Sequence, residues 1–459
     1  MVNIYFDKQI FSYLFNAKEE KYVILRDKIL SHKDDFVFLF SNAHLLDLQR
    51  DDTDTKYKEM DFMQSIVGEN FLISKDSKIE VANESPRSAF NYVVNTQNLS
   101  WLDDFDLSQI PEEQYDFINN VFDLSIKDLK GELDSDWITT RNPIHASELR
   151  IKKDEFVAYL KFIIHNLYDD NDTYKVMRDV AVGKYNPTHI TADVASVFNS
   201  QLSSSPLGLS FIDTINAISN QFGIPSPSFD MAYYFSYTLL DLLGLCKEPR
   251  RKIEFRNMQT DCYHSFFGTY CDCLVSNDKG MRDKSKILYN LFNVETKVYS
   301  IDEFIEQFDK AISDNKKSAS EYFGEIRKDY ECGEILQTAE YPAYTLTQLK
   351  AEHKYFGYFN YMAEVKSKDG TIILLHKNKN LRTSIYIQEV EIMVNRIARV
   401  FKNMGAECAL FDKRTDWEQM ISENWRRGVQ FKDAEAYLAK FKDMAMLSFL
   451  IKFREEWKL

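Results

Sequence analysis

The chain has 459 residues, 44% apolar and 14% aromatic, enough material for the cores of two or three domains and too apolar for global disorder. Its formal charge of −14, from 57 Lys and Arg against 71 Asp and Glu, excludes a surface that binds nucleic acid over its whole extent; any such ligand must be held on local basic patches. No apolar run approaches the roughly 18–20 residues of a membrane helix, and six scattered cysteines without a secretory pattern predict a soluble chain with reduced thiols in a cytoplasmic setting.

Residues 1–7, MVNIYFD, lack the basic start, apolar core and small-residue cleavage site of a signal peptide. They read as a strand, with Val2, Ile4, Tyr5 and Phe6 leading into Asp7. Phe11, Leu14, Phe15, Val23, Leu25 and Ile29, spaced by charges, predict one amphipathic helix from Gln9 to about Lys33. Residues 36–40 predict a second strand, ending at Ser41. The next segment, Asn42-Ala43-His44-Leu45-Leu46-Asp47-Leu48, reads as the first turns of a helix capped by Ser41 or Asn42, with His44 and Asp47 three positions apart on one face.

From about Gly68 to Glu254 the composition is helical, with mixed apolar and polar spacing at 115–124, 152–168, 188–202 and 210–221, divided by turn signals at 203–206 and 225–228. Residues 231–245, MAYYFSYTLLDLLGL, are apolar almost all round and predict a core helix packed on both sides.

Residues 261–285, DCYHSFFGTYCDCLVSNDKGMRDKS, predict a short helix opened by Asp261 and then a buried strand through Cys271, Cys273, Leu274 and Val275 that stops at Ser276. Asn277, Asp278 and Lys279 then emerge at the strand's carboxyl end, where open parallel sheets bind ligands. Basic clusters flank this stretch: Lys247, Arg250, Arg251, Lys252 and Arg256 before it, and Lys279, Arg282, Lys284 and Lys286 after Asp278. For either cluster alone, a solvated face is the ordinary alternative. Cys262, His264, Cys271 and Cys273 lack paired CxxC spacing and fit small buried residues better than a zinc site.

Residues 288–292 predict a short helix, 294–299 a strand, and Ser300 with Glu303 a capping box. Beyond about Ser320 the pattern changes. A hairpin is expected at 355–365 and 371–376 about Asp369-Gly370, an amphipathic helix at 385–404, a strand at 406–411, a helix capped by Thr415 and Glu418, and a last helix at 434–457. Glu364-Val365-Lys366 is similar to the Glu-x-Lys of restriction-type nucleases, but the Asp expected on a preceding strand is missing from 350–359 and alternating charge on an exposed strand is the ordinary account.

Taken in order, Asp7 after a strand, Ser41-x-x-His44-x-x-Asp47, Asp261 opening a helix and Ser276-Asn277-Asp278 closing a strand resemble the four acidic positions of the PIN-like nucleases, the PIN domain superfamily. The resemblance implies an α/β fold: a PIN-like parallel sheet sandwiched by helices, built from 1–67 and 255–305, with a large helical insertion at 68–254 and a smaller C-terminal α+β domain at 320–459. Asp47 departs from the family, where Glu is commonest, and the interval from Asp47 to Asp261 is far longer than in compact members.

The activity implied is a metal-dependent endonuclease that cleaves phosphodiester bonds in RNA in preference to DNA. Mg²⁺ or Mn²⁺ would be held by Asp7, Asp261 and Asp278 directly and by Asp47 directly or through water, since four converging carboxylates require a cation. Substrate contacts are expected at His44, His264, Asn277, Lys279, Arg250 and Arg251, and Ser276 or Asn277 would orient a ligand. For each acid alone the ordinary account is a helix cap or strand end, and for each histidine a satisfied core position. The resemblance also suits a cytoplasmic toxin or antiviral defence effector acting on RNA or single-stranded DNA, controlled by a regulatory protein partner or homo-oligomer, with no membrane. From a different class, the alternative is a catalytically inactive PIN-like scaffold that binds nucleic acid or a protein partner; the net charge and the short Asp47 side chain favour it.

Overall fold

The computed structural model describes residues 2–75, 78–96, 167, 171–186, 199–200, 202–204, 208–221, 226–246, 253–377, 386–402, 409–422, 425–430, 434–440 and 447–453. The helices expected at 115–124 and nearly all of 152–168 and 188–202, the first half of the strand expected at 406–411, and the basic residues Lys247, Arg250, Arg251 and Lys252 lie outside them; residues 409–411 are not a strand.

In chain order, β1 (Asn3–Phe6) leads into α1 (Lys8–Asn16) and α2 (Glu20–Ser31), and β2 (Val37–Ser41) into α3 (Asn42–Gln49) and α4 (Thr55–Val67). Next come β3 (Asn70–Lys75), β4 (Lys78–Asn83) and α5 (Pro86–Thr96), then α6 (Asn171–Tyr185), α7 (Phe211–Gln221) and α8 (Phe229–Leu242). The chain returns through α9 (Phe255–Gly268) to β5 (Cys273–Val275), α10 (Lys279–Leu291), β6 (Lys297–Tyr299) and α11 (Ile301–Asp314).

These strands form one sheet in the order β4-β3-β2-β1-β5-β6, parallel from β3 to β6 with β4 antiparallel at the edge. β1, β2 and β5 are buried throughout, as a parallel sheet covered on both faces requires. Alternate residues feed two cores: Tyr5, Leu39 and Leu274 pack with α8, α9 and α10, whereas Phe6, Phe38, Phe40 and Val275 pack with α1, α4 and α11. The chain fills the β2 side of β1 first and the β5 side later, so the boundary between β1 and β5 is a topological switch point with a crevice at its carboxyl end.

Several sequence expectations change. The helix expected over 9–33 is two, because Ala17 takes a left-handed conformation (φ 43°) and ends α1. The sheet does not stop at Gly68, since β3 pairs with β2 and β4 with β3, so residues 70–83 belong to the sheet and not to a helical insertion. α9 starts at Phe255, which puts Asp261 in mid-helix instead of at its N-terminus.

The C-terminal part follows as α12 (Ala319–Cys332), β7 (Ile335–Glu340), β8 (Tyr344–Leu349), β9 (Tyr361–Ser367), β10 (Gly370–His376), α13 (Ile387–Lys402), α14 (Thr415–Ser422), β11 (Trp425–Gln430), β12 (Ala434–Lys440) and β13 (Leu447–Phe453). Its seven strands form an antiparallel sheet, β11-β12-β13-β10-β9-β8-β7. The expected hairpin is β9 and β10, with Gly370 at φ 117° in the turn, but its first strand starts at Tyr361 and not at 355. The helix expected over 434–457 is instead β12 and β13, because Leu447, Phe449 and Ile451 are buried with period two.

Buried polar groups join the two sheets. Asp272, ahead of β5, accepts from the backbone N–H of Val2 (2.5 Å) and Asn3 (3.2 Å) and pairs with Lys377 beyond β10 (2.5 Å). Glu389 on α13 accepts from the Asn3 side chain of β1 and from Tyr358 (3.0 Å). Among the described residues, no helix is long and apolar enough to cross a membrane.

Candidate metal centre

Asp7 is at the carboxyl end of β1 because its own N–H continues the ladder, donating to the Val275 carbonyl at 2.9 Å, while its side chain turns to cap α1 through the Gln9 N–H (3.3 Å). Its second oxygen accepts from Ser276 Oγ at 2.7 Å, at the end of β5. Burial raises its pKa; His264 and the Ser276 hydroxyl offset part of that rise, and the neighbouring Asp47 adds to it.

Asp47 projects from α3, the helix that Ser41 caps through the Ala43 N–H (3.2 Å). Its Oδ2 is 3.1 Å from His264 Nε2, and the same nitrogen is 3.8 Å from Asp7 Oδ1. The ligand atoms of Asp7, Asp47 and His264 all lie within 4.8 Å of one another, the geometry of a group able to hold one metal ion. Behind His264, Nδ1 is 3.1 Å from the Tyr5 hydroxyl, which is 2.6 Å from Ser41 Oγ. Tyr5, Ser41 and His264 are buried.

A cleft of about 370 Å³ opens beside this group at the carboxyl ends of β1 and β5. Asp7, Asp47, Asp261 and Asp278 all line it. Asp261 and Asp278 do so outside the three-residue group. Asp278 caps α10, accepting from the Met281 N–H at 3.0 Å, with its own N–H on Ser276 Oγ (3.0 Å).

Other residues expected at the site have structural duties. His44 is fully buried; its Nδ1 accepts from the Ser41 N–H (3.1 Å), so Nε2–H donates to the Phe6 carbonyl (2.7 Å). Burial and the adjacent His264 hold its pKa well below the usual imidazole range. It anchors α3 to β1 and is no substrate contact. Asn277 turns away to cap α11 through the Ile301 N–H (3.1 Å), and Lys279 pairs with Asp283 on its own helix. Of the basic cluster after Asp278, Arg282 donates to the Ser276 carbonyl (2.7 Å) and Lys284 is buried against Asp241, so only Lys279 and Lys286 are exposed. Cys262, Cys271 and Cys273 are buried free thiols outside the metal-capable group. Glu364 is buried, bonded by Tyr330 and paired with Lys366 (2.9 Å), a structural arrangement of β9.

The cleft also contains residues that the sequence pattern did not single out. Arg50, one turn beyond Asp47, donates to Asn257 Oδ1 (2.8 Å) and Thr260 Oγ1 (3.1 Å) and so bridges α3 to α9. Asp241 receives Lys284 on one oxygen and Tyr174 (2.6 Å) on the other. Burial alone would raise its pKa, but Lys284 and Arg178 outweigh burial and hold it below the ordinary carboxylate value. A single charge in the otherwise apolar 231–245 run was its signal. No protein family, curated protein or solved structure matches the chain.

Proposed function

We propose that this cleft is the active site of a PIN-like, metal-dependent endonuclease that cleaves phosphodiester bonds. One observation carries the reading: four acids from four separate elements, up to 271 positions apart (278 − 7), line one cleft at a switch point of a parallel sheet. The donor set fits a cation, because two carboxylates and an imidazole nitrogen converge within ligating distance and burial leaves Asp7 short of compensating positive charge. A bound dication supplies an activated water and neutralises charge on the phosphate and the leaving oxygen.

The chain's own groups do the positioning. Ser276 and the Gln9 N–H hold the Asp7 carboxylate, Tyr5 holds the His264 ring, and Arg50 places positive charge at the cleft for an incoming phosphate. RNA is preferred over DNA, and the setting is a toxin or defence effector restrained by a partner; both follow from the resemblance alone.

The test is cleavage of labelled single-stranded RNA, single-stranded DNA and duplex DNA with Mg²⁺ or Mn²⁺, comparing the protein with Asp278→Asn. Cleavage lost in the variant and in chelator supports the reading, and equal cleavage by both proteins sinks it. The inactive-scaffold reading is favoured by the further acid Glu254 in the cleft wall. It predicts nucleic-acid or protein binding without cleavage under any of these conditions.

A further inference from the structure

We propose that the group of Asp7, Asp47 and His264 is a mixed nitrogen–oxygen site that takes a first-row transition dication in preference to magnesium, with Tyr5 and Ser41 as the positioning residues that hold the imidazole. This rests on the metal-centre reading above and deepens it. The resemblance implies an all-carboxylate centre, but the group that converges here has only two carboxylates, and its third member is a nitrogen.

His264 is 1% exposed and can present only Nε2 to the ion, because Nδ1 faces Tyr5 and Nε2 faces both acids. Magnesium favours oxygen ligands in near-ideal octahedral geometry, whereas imidazole suits the later divalent ions. A buried imidazole at one corner therefore favours the transition ion.

The groups behind His264 can serve both states. Without an ion, Nε2–H donates to Asp47, Nδ1 accepts the Tyr5 hydroxyl, and Tyr5 accepts from Ser41. With an ion, the neutral ring carries its single proton on Nδ1 and donates it to Tyr5, whose hydroxyl turns to Ser41 Oγ, 2.6 Å away. In both arrangements Nδ1 keeps its hydrogen bond to the Tyr5 hydroxyl.

The test uses the full chain, stripped of metal. Mn²⁺ binding is followed by the electron paramagnetic resonance of the free ion, Co²⁺ binding by visible absorption, and Mg²⁺ by competition. Expected are one tight ion per chain, Mg²⁺ weaker than Mn²⁺ by at least about tenfold, and a Co²⁺ spectrum indicating nitrogen ligation that His264→Gln abolishes. Tyr5→Phe keeps the ring packing and should lower Mn²⁺ affinity about 10- to 100-fold.

Mg²⁺ displacing Mn²⁺ at equal concentration, or a Co²⁺ spectrum unchanged in His264→Gln, would overturn the proposal even if the protein cleaves RNA. Tight transition-ion binding with these signatures but no cleavage would leave it standing and overturn the nuclease reading. No binding of any of the three ions would overturn this proposal together with the metal centre.

Discussion

Asp278 caps α10, and substitution can separate that cap from the catalytic role proposed for it. Its Oδ1 caps α10, and Asn is as good a cap as Asp, so Asp278→Asn should leave thermal stability nearly unchanged while cleavage is lost. Asp278→Ala removes the cap as well and should cost about 1 kcal/mol; calorimetry of the two variants checks the difference. His44→Ala should destabilise by roughly 1–3 kcal/mol, because it strands the buried Ser41 N–H and Phe6 carbonyl, and denaturant unfolding measures it. The positions of Asp7 and Asp278 were legible in the sequence because each ends a strand segment and caps a helix, where local rules operate, and Asp47 followed from the helix that Ser41 opens. The placement of His264 beside Asp7 and Asp47 was not, since it depends on α9 packing against α3 and β1, a contact made across 217 positions from Asp47.

At the scale of elements, α8 is held to α10 by the buried Asp241–Lys284 pair, with the Lys284 ammonium also 5.0 Å from the Tyr237 ring centroid. Lys284→Met leaves a buried charge without its partner and should cost roughly 3–5 kcal/mol. Replacing both residues by apolar ones should recover much of that loss, measured by denaturant midpoints. The α1–α2 break makes a smaller prediction: Ala17→Gly relieves a left-handed alanine and should raise stability by about 1 kcal/mol. No Gly or Pro marks the break, and Asn16 beside Ala17 is its one local signal, so the periodicity read through it. The strands near the C-terminus were missed for a related reason, since the aromatics and methionines of 434–457 suggest a helical stripe until β13 pairs with β10 and reveals a period of two.

Across the whole molecule, Asp272 ties the parallel sheet to the antiparallel one. Burial alone would raise its pKa, yet Lys354 and Lys377 dominate and hold it well below the usual carboxylate range. Its stabilisation is therefore complete above the unfolded value of about 4 and is lost as pH falls below it toward the folded value. Asp272→Asn should be strongly destabilised at neutral pH, and the gap from the wild type should narrow steadily under acid, as urea titrations at several pH values would record. The parallel sheet was legible from its uninterrupted apolar runs. The Asp272 junction was not, because Val2, Lys354 and Lys377 meet there only after both sheets have formed.

The most direct measurement is anomalous X-ray scattering from crystals soaked in Mn²⁺. The account predicts an ion peak within direct ligating distance of Asp7, Asp47 and His264 Nε2, at the cleft that Asp261 and Asp278 also line. No peak there, or peaks only on exposed carboxylates elsewhere, would contradict it.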